Sequence, residues 1–210
     1  MKQLVKKIKT QTTITLITGL HIGGSKDSVE IGGIDNPVIK LANRNGEPYI
    51  PGSSIKGKMR CLLEQMHGAP EVGKDAEVVR LFGSADTPSR LIVRDAMLTP
   101  ESEKALRECS NLDMVYTENK FENMIDRVKG TATNPRQTER VPAGAVFNAE
   151  FIINIWDDDD EAELKRLFEK GINAIENDYL GGSGSRGYGQ VKFGEMKWVE
   201  LSEANGWGTK

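Results

Sequence analysis

The sequence predicts an α+β fold in the ferredoxin-like, split β-α-β order: strand, helix, strand, strand, helix, strand. Three observations carry that prediction. Residues 145–156 alternate apolar and polar side chains (Phe147, Ala149, Phe151, Ile153), the period of a strand with one buried face, and residues 4–18 do the same with Val5, Ile8, Ile14 and Leu16. Residues 54–65 and 161–177 instead space their apolar side chains three and four apart (Ile55, Met59, Leu62, Leu63, then Leu164, Leu167, Phe168, Ile172, Ile175), as a helix with one buried stripe does. Strand-like segments lie beyond each helix, at 91–98 and 190–201.

In chain order, residues 4–18 make a long strand or hairpin arm, followed by a glycine loop that carries Asp35 and runs to Pro51. Ser53 is placed to cap the helix that begins at Ser54. Residues 70–90 read as a short helix and turns, Leu91–Leu98 as a buried strand, 101–109 as a helix and 112–118 as extended. Residues Gly130–Pro142 are polar, basic and rich in turn formers. Asp157–Asp160 precede the second long helix, where acids complement the positive end of the helix dipole, so they read as a capped, solvated helix start. A glycine loop then leads into the final strand. A length of 210 residues suits one domain, residues 1–210, with insertions near 19–50, 66–90 and 120–142.

Composition excludes several classes. No apolar run approaches the roughly 20 residues of a membrane span, and the start, Met1–Lys9, alternates apolar and basic residues without the apolar block of a secretory signal. It reads as a strand of a cytoplasmic protein. Two cysteines, Cys61 and Cys109, with His21 and His67, are too few and too scattered for a structural zinc site or a disulfide framework. The net charge of −3 conceals a polarity: residues 1–60 hold ten Lys and Arg against four Asp and Glu, so the remainder is strongly acidic.

Five places carry chemistry. Asp35 lies in Ile31–Pro37 between glycines and a proline, where a carboxylate suits a metal ion or a proton; the alternative is an Asx-turn before Pro37. His21 is placed to donate to a phosphate oxygen or a leaving group, or is structural. In Pro51–Arg60 a small-residue turn enters a helix whose first two turns carry Lys56, Lys58 and Arg60. Cations are disfavoured there by the dipole, so Ser53, Ser54, the first-turn N–H groups and the Lys56/Arg60 pair form a candidate phosphate grip, or else a solvated basic face. The loop Gly181–Gly189 combines Gly182, Gly184, Ser185, Arg186 and Gly187 with Tyr188, a backbone that could approach a ligand beside a cation and a stacking face. Lys129, Arg136 and Arg140, with Arg127 just before, belong either to a disordered surface loop or to an arm that orders on a partner.

Two nucleotide motifs fail on inspection. Gly52–Lys58 fits G-x-x-x-x-G-K, but Met59 stands where a magnesium-binding hydroxyl is needed. Gly182–Gly187 fits G-x-G-x-x-G, but it follows a helix and precedes a strand, the reverse of a dinucleotide fold.

Gly19–Gly24, Gly32–Val38, Pro48–Arg60, Gly130–Arg136, Glu139–Gly144 and the 181–189 loop, in that order, resemble the RAMP proteins of CRISPR systems. The closer resemblance is to the repeated backbone subunit of the type III-A (Csm) effector complex, and it covers essentially the whole chain. It implies an RRM-like palm with an inserted helical lid and a protruding thumb hairpin near 125–140. Copies would stack head to tail along a CRISPR RNA held by Lys56, Arg60 and the glycine loop, beside other type III-A subunits, with a target RNA paired to the guide. The resemblance further implies that Asp35 is required for target-RNA cleavage once per subunit with Mg2+ or Mn2+, so Asp35 is the expected metal ligand or base. Two other functions stay open: a non-catalytic CRISPR RNA-binding subunit, and a RAMP nuclease that processes the guide precursor.

Overall fold

The structure is a computed structural model that describes residues 3–24, 36–202 and Trp207. Its elements are β1 (Leu4–Leu16), β2 (Tyr49–Ile50), α1 (Gly52–Met66), α2 (Ala76–Phe82), β3 (Leu91–Val93), β4 (Ala96–Leu98) and α3 (Pro100–Arg107). There follow β5 (Glu118–Ile125), β6 (Ala132–Arg140), β7 (Val146–Trp156), α4 (Glu161–Glu176), β8 (Val191–Phe193) and β9 (Lys197–Ser202).

The two strands with the clearest alternation form the centre. β1 pairs antiparallel with β7 from Leu4 opposite Trp156 to Thr15 opposite Val146. β3 and β4 pair with the far edge of β7, and β8 and β9 with the far edge of β1. This is the predicted split β-α-β order. Ile8, Ile14 and Leu16 are buried on the same side as Phe147, Phe151 and Ile153. Because side chains alternate along a strand, a slip of one residue would turn that whole set outward, and this fixes the register.

Both long helices cover that face. α1 buries Ile55, Met59 and Leu63, and α4 buries Leu164, Leu167, Phe168, Ile172 and Ile175. They approach closely at Gly171, where a Cβ would stand 2.3 Å from Cγ of Met59. Phe168 meets Phe151 edge-on, 5.0 Å between ring centres, and Trp198 at 5.3 Å, which closes the core on the β9 side. α2, the inserted helix, packs against both α1 and α4. Among the described residues no helix is long and apolar enough to cross a membrane.

Four local expectations are corrected. The helix α1 begins at Gly52 and has no side-chain cap, so Ser53 is an exposed helical residue and not its cap. Its cap comes from elsewhere: the predicted strand 91–98 breaks at Arg94–Asp95, and the Asp95 carboxylate accepts the Gly52 N–H at 2.8 Å. Gly52 is the residue that fits there, since a Cβ would lie 2.3 Å from the Val93 carbonyl oxygen. The final strand divides at 194–196, where a Cβ on Gly194 would meet Oγ1 of Thr13 at 2.6 Å. As the resemblance implied, residues 118–140 form a two-stranded hairpin, β5 against β6, and not the disordered loop that was the alternative. Of the four acids before α4, Asp160 is the cap, accepting from Ala162 and Glu163, while the Asp159 side chain is buried against Arg90 at 3.0 Å.

The cap and the close approach predict separable effects in urea unfolding. Asp95→Ala should reduce stability by about 1 kcal/mol, the usual worth of a cap. Gly52→Ala should cost more, about 2–4 kcal/mol, because the Val93 backbone has to move. Equal losses would show that the steric contact is relieved without strain.

Candidate nucleic-acid interface

Beyond β1 the chain leaves the sheet, and one buried carboxylate gathers the segments that follow. Glu139, near the end of β6, is 1% exposed. Its Oε2 accepts the Val38 N–H at 2.9 Å, and its Oε1 accepts the Thr117 hydroxyl at 2.6 Å and pairs with the Lys40 ammonium at 2.5 Å. Its own backbone N–H donates to the Asn36 carbonyl at 3.1 Å, where residue 36 bridges in parallel to Thr138. A lone carboxylate in such a place would be strongly disfavoured; one cation and two further donors hold it there. The segment 36–40 is thereby fastened to the root of the hairpin.

His21 joins the same knot. Its Nδ1 lies 2.7 Å from the Glu139 carbonyl oxygen. A carbonyl can only accept, so Nδ1 carries the proton and Nε2 of the neutral ring keeps a lone pair. The His21 carbonyl accepts the Gly182 N–H at 2.9 Å, and Leu20 bridges to Val141 at the hairpin root. The glycine loop therefore lies directly on His21. At Gly181, φ is +75° and a Cβ would sit 2.4 Å from the His21 oxygen, so both conformation and contact demand glycine.

The remaining glycines divide by role. A Cβ on Gly184 would enter the Tyr179 ring at 2.0 Å, so this glycine serves internal packing. Gly187, also at positive φ, faces open space, and Ser185 and Arg186 beside it are exposed. Tyr188 turns inward and stacks under two cations, Lys120 at 4.2 Å and Arg140 at 5.2 Å from its ring centre. Burial, with the Glu122 carboxylate nearby, pushes its hydroxyl up to about 12, so it stays protonated at neutral pH. Lys120 also donates to the Arg186 carbonyl at 3.1 Å, and Arg140 pairs with Glu118 at 2.6 Å. Hairpin and glycine loop thus form one continuous cationic seam.

The residues predicted on α1 are placed differently from the expected phosphate grip. Lys56 turns inward, donating to the Ser89 hydroxyl at 2.7 Å and the Leu91 carbonyl at 2.8 Å, so it ties α1 to β3. Burial, followed by the nearby Arg60 charge, holds its ammonium below the usual lysine range. Lys58 pairs with Asp178 at 2.7 Å and stands 3.5 Å over the Tyr179 ring, which joins α1 to the start of the glycine loop. Arg60 pairs with Glu64 one turn on, at 2.9 Å. Three first-turn N–H groups are also engaged: Gly52 donates to Asp95, and Ser54 and Ile55 to the Pro51 carbonyl. Ser53 is exposed and Ser54 half-buried. Arg127 and Lys129 are exposed in the turn at the far end of the hairpin, where Asp126 accepts the Val128 and Lys129 N–H groups. Arg136 lies on β6 beside Glu122.

Asp35 lies outside the described residues; its neighbour Asn36 is the residue hydrogen-bonded to Glu139. Among the described residues no three His, Cys, Asp or Glu side chains gather as a metal site. The Glu139 carboxylate, which shares this knot with His21, already has its partners. Sequence reading missed Glu139, Thr117, Lys40, Lys120, Glu122 and Asp95. The alternation of Lys120 and Glu122 with Phe121 was a legible strand signal; the others pair across long stretches of chain and leave no local pattern.

Glu139→Ala should lower stability by about 2–4 kcal/mol, since it strands buried donors. Hydrogen exchange should locate the damage: the Val38 amide should exchange faster while amides of β1 and β7 keep their protection. Uniform loss of protection would mean that Glu139 supports the whole palm and not this knot.

The RAMP superfamily matches residues 13–192. The chain is 43% identical over 210 residues to the CRISPR system Cms endoribonuclease Csm3 of Methanocaldococcus jannaschii, spanning 92% of this chain and 81% of that protein. It is 44% identical over 205 residues to the protein of the same name from Streptococcus thermophilus, spanning 91% and 89%. A Csm3–Csm4 subcomplex from a type III-A CRISPR-Cas interference complex contains a chain with TM-score 0.64 and 33% identity, over 99% of this chain and 86% of that one. A type III-B Cmr-β structure bound to cognate target RNA shares the fold, with TM-score 0.66 at 17% identity, over 92% of this chain and 61% of its own. The match runs from β1 into β8, and the relatives extend over nine-tenths of the sequence; this chain belongs to the RAMP superfamily and, within it, to the Csm3 family.

Proposed function

We propose that this chain is a repeating backbone subunit of a cytoplasmic type III-A CRISPR effector complex, which binds CRISPR RNA along a filament of head-to-tail copies and cuts complementary target RNA beside Asp35. The kinship to endoribonucleases supports it. The observation that carries it is the Glu139 knot, which holds His21, the segment that follows Asp35 and the glycine loop together on one side of the hairpin root. Head-to-tail copies use a heterologous interface that does not close, which suits a guide of repeating register.

The chemistry asks little of any one side chain. With a target nucleotide displaced from its neighbours, its 2'-hydroxyl can be set in line with the adjacent phosphorus, and the RNA supplies its own nucleophile. The 2'-oxygen bonds to phosphorus as the bond to the 5'-oxygen breaks, leaving a cyclic phosphate and a 5'-hydroxyl that gains the proton. Asp35 would accept the 2'-hydroxyl proton or hold a cation; a carboxylate is a weak base at neutral pH, so the electrostatic role is favoured. A Mg2+ or Mn2+ held by Asp35 and phosphate oxygens would supply charge neutralisation. His21, with Nδ1 fixed on Glu139, presents Nε2 as the group able to exchange a proton with the RNA.

In assembled complex, Asp35→Ala should reduce target cleavage about 100-fold or more while leaving assembly and guide binding normal, and a chelator should do the same to wild type. Intact cleavage with Asp35→Ala would leave a structural RNA-binding subunit as the reading. For RNA binding, Arg186→Ala should flatten the dependence of log affinity on log salt by about 0.7 per lost phosphate contact on a single strand. Lys56→Ala should instead leave that slope unchanged and lower the melting temperature, because its ammonium is bonded within the protein.

A further inference from the structure

At the seam between hairpin and glycine loop, three cations from three segments converge on one carboxylate. Lys120 on β5, Arg136 on β6 and Arg186 of the glycine loop stand 3.5, 3.7 and 3.8 Å from Glu122. For the two arginines these distances are beyond hydrogen bonding, so charge meets charge without a closed pair, while Lys120 donates to the Arg186 carbonyl. The neighbouring pair Arg140–Glu118, at 2.6 Å, shows that the same ribbon can close an ion pair fully. Nε of Arg136 is buried and has no hydrogen-bond partner. A guanidinium donor left in that state is destabilising, and one carboxylate does not satisfy the three cations around it.

The layering matters as much as the distances. The Glu122 side chain is 12% exposed, whereas those of Lys120, Arg136 and Arg186 are 31%, 38% and 50% exposed. The anion lies beneath and the cations lie between it and solvent. An anion arriving from outside would meet two guanidinium groups and an ammonium, and the cluster carries two positive charges in excess of its carboxylate. A phosphodiester matches this: it offers one charge on two oxygens that can be shared between donors on separate segments. Lys120 is also fixed by the Arg186 carbonyl and the Tyr188 ring, so the donors are ordered before a ligand arrives.

We propose that Lys120, Arg136 and Arg186 form a phosphodiester-binding subsite at this seam, with Glu122 holding the place of the anion until RNA arrives. The proposal rests on the reading of this chain as an RNA-binding subunit and adds to it an internal competitor. When a phosphate takes over the donors, Glu122 remains as a like charge beneath it, so it lowers affinity for any RNA strand. It thereby raises the share of binding that must come from the rest of the interface.

The test is equilibrium binding of a labelled single-stranded RNA to this chain across a salt series. Glu122→Gln should tighten binding about 3- to 10-fold at low salt and steepen the salt dependence. Adding Arg136→Ala to it should remove the gain. Binding that is unchanged or weaker in a folded Glu122→Gln protein overturns the subsite. Should Glu122→Gln fail to fold, Arg136→Ala alone decides: the proposal requires about 3-fold weaker binding with a shallower slope, and wild-type behaviour overturns it. Absence of salt-dependent binding by the wild-type chain would overturn both this proposal and the reading of the chain as an RNA-binding subunit, whereas normal wild-type binding with indifferent variants overturns the subsite alone.

Discussion

Glu139 brings a negative charge to a position almost closed to water, and the surroundings of the palm's working edge are arranged around it. A carboxylate so buried is tolerated only with its oxygens occupied, and here they are occupied by the Val38 amide, the Thr117 hydroxyl and the Lys40 ammonium. Those groups come from the loop before β2 and the turn before β5, and Glu139 itself from β6. Satisfying one charge therefore determines where three separate stretches of chain lie. The same residue offers its carbonyl to His21 and its amide to Asn36, so backbone and side chain act on the same neighbours. The glycine loop is added to this arrangement through the His21 carbonyl.

The palm beneath is held by different means. Its register follows from apolar alternation on β1 and β7, and its helices are seated by contacts that admit no extra methyl group at Gly52 or Gly171. Polar groups there are anchors between layers. Lys56 fastens α1 to β3, Asp95 caps α1 from the break between β3 and β4, and Asp159 locks Arg90 behind the start of α4. A lysine at a helix start attracted notice as a phosphate ligand, yet its hydrogen bonds run into the protein. Cations in the first turns of α1 require a compensating anion near its N-terminus. The compensating anion is Asp95.

Charge at the hairpin follows another logic. β5 and β6 place acids and bases in alternation, so one side of the ribbon carries Lys120, Glu122, Arg136 and Arg140 toward the glycine loop. Pairing within the ribbon and contact with the loop are satisfied together, and the strand period that orients one residue orients the rest. Phe121 on the opposite face, and Ile125 and Val128 farther along the same hairpin, are exposed apolar side chains. Among the described residues β5 and β6 pair chiefly with each other, in agreement with the thumb that the resemblance implied.

By itself the sequence determined the elements with a single strong period: β1, β7, α1 and α4, and from their order the split β-α-β sheet. Local signals sufficed because each of these segments buries one face, and burial writes its period into the residues. It also marked the glycine loop and the Asp35 loop as places where regular structure gives way, and the resemblance to RAMP proteins assigned them to RNA. Tertiary structure alone decided which polar residues face a ligand and which face the protein. Lys56 and Arg186 are both cations beside flexible turns; the first is bonded to Ser89 and the second is half exposed at the hairpin seam. Glu139 and Asp95 act on residues 101 and 43 positions away, at Val38 and Gly52. Partners so distant in sequence leave no period or spacing to read, because the contact exists only once the sheet has brought the two segments together.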